Sequence, residues 1–181
     1  MPSLIIPATI LLLIFSLIGS IDLFYLHLWK YKLFASGDSL YEHRIHTLQA
    51  GTFAGVIFFL ICGDFKGLLL VVGLLFVAAD VAVEIVDILC EKESRATRGG
   101  LSTFEYLLHV VMSATKFGFV VLALAAKPLS AWHLTWLRPE TNNYPFLVLL
   151  IGWSMFVFAL LSATFQLWLQ NSRYRQHLTQ H

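Results

Sequence analysis

The chain has 181 residues, of which 58% are hydrophobic and 13% are charged, and its formal net charge is +1. Soluble domains carry about a quarter charged residues, so this composition excludes an ordinary soluble domain. Such a small net charge gives no reason to expect a nucleic acid as a partner. Cys62 and Cys90 have no metal-ligand spacing, and we expect both to pack in apolar surroundings.

Five apolar stretches reach the length of about 20 residues with which an α-helix spans a bilayer. They are predicted over residues 4–29, 43–62, 68–90, 101–126 and 144–169. The first stretch lacks the basic segment that opens a secretory signal, so we interpret it as a retained helix. The sequence therefore predicts an all-α fold: a single transmembrane helical domain over residues 1–181, built as an integral membrane bundle of five transmembrane helices.

Basic residues set the predicted orientation, because cytoplasmic loops of membrane proteins carry an excess of lysine and arginine. With the N-terminus outside, the inner side holds Lys30, Lys32, Arg44, Lys92, Arg95, Arg98, Arg173 and Arg175, and the outer side holds Lys66, Lys127 and Arg138. This distribution favours an N-terminus outside and a cytoplasmic C-terminus. We expect the location to be an inner, cytoplasmic membrane of the bacterial type.

The third span carries a row of carboxylates in an apolar segment. At about 100° per residue, Glu84 lies near +40° and Asp87 near −20° from Asp80, so all three share one face. Each acid near the centre of a membrane helix costs about 2.5–3.5 kcal/mol on insertion scales. Protonation, a basic partner, water or a metal ion must offset that cost. Glu91 also falls on this face, but we expect it to be a solvated loop acid.

Histidines and further carboxylates lie at similar depth on three other spans. They are Asp22 and His27 near the end of the first span, Glu42, His43 and His46 at the start of the second, and Glu105 and His109 in "FEYLLHV" at the start of the fourth. Consecutive spans alternate in direction, so these residues all lie in the cytoplasmic half. Asp22 and His27 are separated by about 140° on an α-helix, and we expect only one of them to face the others.

Convergent carboxylates and histidines are the ligands from which helical bundles build dimetal centres. The predicted inner ligands are Asp80, Glu84, Asp87, Glu105, His46 and His109, with His43, His27 and Asp22 as candidates to complete the set. The "ExxxH" spacing departs from the Glu-x-x-His of ferritin-like di-iron bundles. We expect two divalent metal ions, with iron preferred over zinc or manganese.

Several functions agree with this pattern. The first is a membrane enzyme, an oxygen-dependent oxidoreductase or a hydrolase, that acts on a lipid-like or other apolar substrate; no catalytic side chain is predicted. The alternatives are a divalent-cation or proton transporter, a b-type haem subunit, and a structural subunit. Lys116, deep in the fourth span, is expected to pair with a buried carboxylate. The fifth span is expected to form a wall or a contact in a homo-oligomer or larger membrane complex.

Overall fold

The computed structural model describes residues 4–35, 39–96, 100–134 and 144–178, and among these it leaves the side chains of 35, 92–96 and 173–178 undescribed. The helices are α1 (Ile5–Ser20), α2 (Leu40–Ile57), α3 (Leu68–Ala96), α4 (Thr103–Ala125) and α5 (Phe146–Leu178). Two π-helices, Ile21–Lys30 and Phe58–Cys62, continue α1 and α2, and two short 3₁₀ segments are Leu33–Ala35 and Leu129–Trp132. The described part of the chain is thus all-helical, as predicted.

Five helices are long and apolar enough to cross a membrane, with mean hydropathies between 1.7 and 2.5. Their apolar segments are Ile5–Lys30, Leu40–Cys62, Leu68–Glu91, Thr103–Ala125 and Phe146–Ser172. These agree with the predicted spans to within a few residues, and they fit the interpretation of a membrane protein. Of the basic residues used for orientation, Arg98 and Arg138 lie outside the described residues, as do the side chains of Lys92, Arg95, Arg173 and Arg175.

The packing of the helices leaves a cleft on one side of the bundle. Helix α2 packs along both α3 and α5, and α1 packs along α4. In the described residues α3 and α4 make no comparable contact, and a cavity of about 620 Å³ lies between them. One end of this bundle is filled by an apolar core that includes Leu12, Phe53, Leu60 and Phe119. The other end holds the charged residues of the spans.

A buried ion pair connects two loops at the apolar end of the bundle. Lys127 Nζ lies 3.3 Å from Asp64 Oδ1, and the side chain of Lys127 is fully buried. Burial lowers the pKa of Lys127, while the carboxylate of Asp64 opposes that shift. The ring of Tyr144 lies 5.3 Å from the same ammonium group, and burial raises the pKa of the Tyr144 hydroxyl. The pair therefore joins the α2–α3 loop to the segment that follows α4.

Candidate metal centre

Asp22 and His27 lie together because their segment is a π-helix. The hydrogen-bond repeat of a π-helix is five residues rather than four, so positions i and i+5 fall on one face. Asp22 and His27 have this spacing, and His27 Nε2 lies 3.5 Å from Asp22 Oδ2. The expectation that only one of them faces the other ligands was wrong, because it assumed α-helical geometry. Both side chains are buried.

His109 of α4 completes a first group with these two residues. Its Nε2 atom lies 3.1 Å from Asp22 Oδ1, and one ligand atom from each of Asp22, His27 and His109 lies within 4.8 Å of the others. On the other side of the ring, Nδ1 lies 3.2 Å from Glu91 Oε2. The imidazole is therefore held between a carboxylate of the π-helix that follows α1 and a carboxylate of α3.

A second group adjoins the first and shares His27 with it. Ligand atoms of His27, Glu42 and His46 also lie within 4.8 Å of one another. His46 Nε2 is 3.7 Å from Glu42 Oε1 and 3.3 Å from Asp87 Oδ1. The ring centroids of His27 and His46 are 4.1 Å apart within this group, and the shared His27 joins it to the first group. Four helices thus contribute imidazole or carboxylate to one small region.

The spacing of the ligand atoms is compatible with bound metal. Ligand atoms placed tetrahedrally at about 2.1 Å from a zinc ion are about 3.4 Å from one another. The nitrogen–oxygen distances here run from 3.1 Å, between His109 and Asp22, to 3.7 Å, between His46 and Glu42. Protonated histidines that pair with carboxylates give similar distances, so geometry alone leaves both states available.

Asp80 and Glu84, two of the predicted ligands, lie deeper and pair with Lys116. Lys116 Nζ lies 2.7 Å from Asp80 Oδ2 and 2.6 Å from Glu84 Oε2. Thr52 donates a hydrogen bond to Asp80 Oδ1 and Ser113 donates one to Glu84 Oε1. These hydroxyls and the ammonium supply the partners that buried carboxylates need. The expected pairing of Lys116 with a buried carboxylate is present, and the lysine pairs with both Asp80 and Glu84.

Two further predicted ligands, Glu105 and His43, are members of neither group. Glu105 is fully buried, and its Oε2 accepts a hydrogen bond of 2.9 Å from the hydroxyl of Tyr31. His43 is buried with its ring centroid 6.3 Å from that of Phe34. The structure therefore brings together five of the nine predicted ligands, which are Asp22, His27, His46, Asp87 and His109. Metal binding by Asp80, Glu84, Glu105 and His43 stays a prediction, because these four side chains belong to neither ligand group.

Sequence reasoning did not place Glu42 or Glu91 among the ligands. Both are buried, and Glu91, expected to be a solvated loop acid, contacts His109 instead. The signals were present: Glu91 falls on the same face of α3 as Asp87, and Glu42 lies one helical turn before His46. Glu91 was assigned to a solvated loop because the apolar run ends before it, whereas α3 continues to Ala96.

This end of the bundle carries an excess of negative charge. The two groups, the acids that contact their histidines and the Lys116 network together contain six buried carboxylates, Asp22, Glu42, Asp80, Glu84, Asp87 and Glu91. The only buried lysine with a described contact to them is Lys116. Protonation of His27, His46 and His109 would still leave two negative charges uncompensated. Buried carboxylates in such excess require bound cations or protons.

The cleft between α3 and α4 gives access to these groups. Its walls include Asp22, His46, Asp87, Glu91 and His109 together with apolar side chains of both helices. The cleft therefore combines carboxylate and histidine side chains with apolar ones. Comparison with protein-family models, with curated proteins and with solved structures gives no match to this chain.

Proposed function

We propose that this chain is an integral-membrane metalloprotein with a dimetal centre in the cytoplasmic half of the bundle. The observation that carries the proposal is the contact between two groups of ligand-type side chains that share His27. The excess of buried carboxylate supports it, because two divalent cations would offset four negative charges. Protonation of the three histidines would offset only three negative charges.

The first ion would be held by Asp22, His27 and His109. Glu91 suits the role of an orienting partner, because a carboxylate on Nδ1 fixes the tautomer that leaves Nε2 as the metal ligand. The 3.2 Å contact between Glu91 and His109 has this arrangement. The contact of Nε2 with Asp22 would then be replaced by coordination of both atoms to the same ion.

The second ion would be held by Glu42 and His46 of the second group, with Asp87, which contacts His46 at 3.3 Å, as a third ligand. Nε2 of His46 and Oδ1 of Asp87 are buried and make no well-aligned hydrogen bond in the described structure, although they lie 3.3 Å apart. Buried polar atoms in native proteins nearly always have partners. A cation between these atoms would supply the missing interaction.

Three imidazoles and three carboxylates suit iron, zinc or manganese, and the carboxylate content keeps iron as the preferred metal. Such ions activate oxygen or lower the pKa of a bound water. We therefore propose an enzyme, either an oxygen-dependent oxidoreductase or a hydrolase. Its substrate would be apolar or lipid-like, because Ile88, Tyr106 and Val110 line the cleft and are more than a third exposed.

The alternative functions have weaker support. A transport path for cations or protons would have to continue beyond Lys116, where the described structure has the apolar core around Phe53 and Phe119. A haem ligated by His27 and His46 would need space between the two rings, but their centroids are 4.1 Å apart. An enzyme that opens to one side of the membrane agrees better with both observations.

The orientation that accompanies this function has the N-terminus outside and the C-terminus cytoplasmic. Reporter fusions at the two termini test it: a fluorescent protein that folds only in the cytoplasm should be bright at the C-terminus. Fluorescence from the N-terminal fusion alone would show that the N-terminus is cytoplasmic and that the orientation is the reverse of the proposed one.

Metal content and transport assays separate the functional classes. Purified enzyme should contain about two iron, zinc or manganese ions per chain and should not move those ions into liposomes. A Soret absorption band would establish haem instead. Metal uptake into liposomes that depends on Asp87 and His46 would establish a transporter.

A further inference from the structure

A second cavity adjoins the two ligand groups. It is distinct from the cleft, and the proposed metal ions would not fill it. Its volume is about 130 Å³, and its walls come mainly from α1 with its π-helical continuation, α2 and α5. Three wall positions carry a small side chain or none, which are Gly19, Ala50 and Ala159. A Cβ atom added at Gly19 would make an ordinary van der Waals contact with Met112 Cε at 3.6 Å.

The wall of this cavity has an apolar part and a polar part. Phe15, Phe53, Ile57, Met155 and Phe158 supply most of the apolar surface. On the polar side are the ligand-type residues Asp22, His27 and His46, while Gln49, Ser162 and Gln166 add hydrogen-bonding groups.

Two serines in the wall offer little to a ligand, because their hydroxyl groups already donate to their own helix. Ser16 donates to the carbonyl of Leu12 at 2.8 Å, and Ser20 donates to the carbonyl of Ser16 at 2.7 Å. Lys116 and Asp80, which also reach this wall, pair with each other. The part of the cavity away from the histidines is therefore suited to an apolar group.

We propose that this cavity binds an apolar group of about the size of benzene and holds it against the two ligand groups. An apolar cavity of about 150 Å³ in another protein accommodates benzene, so 130 Å³ suits one six-membered ring or a chain of similar volume. The cavity and the cleft share Asp22 and His46, so a ligand in the cavity would touch the candidate metal site directly.

This inference deepens the proposed function, because the bound group is the apolar end of a substrate only if the metal centre exists. The substrate class is then an amphiphile with a ring-sized apolar end, whose polar part extends into the cleft. Binding of the apolar group by itself needs no metal. The two proposals can therefore fail separately.

Benzene is the probe, and the shift of the thermal unfolding midpoint in detergent is the measurement. A ligand that binds only the folded state raises Tm, by about 3–6 °C at ten times its Kd for a chain of this size. Ala50→Leu fills the cavity from α2, and Ala159→Leu fills it from α5 as a second variant. Ala79→Leu adds the same side chain at an exposed position of α3 and controls for effects of benzene on the micelle.

We expect benzene to raise the Tm of the wild type and of Ala79→Leu but not of the two cavity variants. The same result in chelator-treated protein would support the cavity independently of the metal. Equal shifts in all four proteins, or no shift in the wild type, would overturn the inference. Absence of metal from the purified wild type, together with a benzene shift, would overturn only the dimetal centre.

Discussion

Glu91 and His109 approach each other across the cleft, with Oε2 of the carboxylate 3.2 Å from Nδ1 of the imidazole. The contact joins α3 to α4, two helices that do not pack along each other. It also determines which nitrogen of His109 faces Asp22 at 3.1 Å. In the proposed centre Glu91 therefore orients a ligand and does not bind the metal itself.

Glu91→Gln tests this role. Loss of an orienting carboxylate typically lowers metal affinity about 10–100-fold without abolishing binding. We expect that reduction for the ion held by Asp22, His27 and His109, measured by competition with a chromogenic chelator. Tyr106→Phe, in the wall of the same cleft, is the matched control and should leave the affinity unchanged. Unaltered affinity in Glu91→Gln would contradict the assignment.

Lys116→Met tests whether Asp80 and Glu84 are structural partners of the lysine. Removing one member of a buried ionic network costs about 3–5 kcal/mol, because the remaining charges lose their compensation. We expect a loss of folding stability of this order, measured by denaturant unfolding in detergent. The double variant with Glu84→Gln should recover part of the loss, since it also removes a carboxylate.

The same variants distinguish this network from a metal site. Glu84→Gln in an otherwise unchanged chain should retain the full metal content of the wild type. Should Glu84→Gln lose metal while it stays folded, then Glu84 is a ligand, as its position on the carboxylate face of the third span first indicated.

Asp64→Asn tests the ion pair at the other end of the bundle. Without the carboxylate, the buried ammonium of Lys127 has no described anionic partner, and stability should fall by about 3–5 kcal/mol near pH 7. Burial already lowers the pKa of Lys127, so the folded state holds this proton less tightly than the unfolded state does. The deficit should therefore shrink as pH rises toward the ordinary lysine pKa of about 10.4.

Thermal unfolding of Asp64→Asn and wild type at pH 7 and pH 9.5 measures this effect. The difference in Tm between the two proteins should be smaller at pH 9.5. A difference that grows with pH would show that Lys127 does not cause the destabilisation.

The sequence predicted the helices well because each of them coincides with an apolar run. Where polar residues continue a helix, hydropathy gave no signal, so α3 extends to Ala96 and α5 to Leu178, beyond the predicted spans. Alternation of direction along the chain was enough to bring residues of four helices to one end. It could not determine which of them touch, since that depends on helix rotation and on the cleft between α3 and α4.

The partners of individual acids were harder to predict. One row on α3 divides into Asp80 and Glu84, which contact Lys116, and Asp87 and Glu91, which contact histidines. The division follows from the depth of Lys116, which the sequence located without identifying both of its partners. Neither composition nor periodicity indicated the π-helix that aligns Asp22 with His27. The prediction therefore used α-helical angles and wrongly placed the two side chains on different faces.

Metal stoichiometry in two half-site variants tests the central claim most directly. Asp22→Ala removes a ligand of the first ion only, and Glu42→Ala removes a ligand of the second ion only. Elemental analysis of purified, folded protein should give about two ions per chain in the wild type, one in each single variant and none in the double variant. No metal in the wild type would contradict a dimetal centre and leave an acidic, protonated cluster in its place, whereas two ions in both single variants would contradict the assignment of Asp22 and Glu42 as ligands.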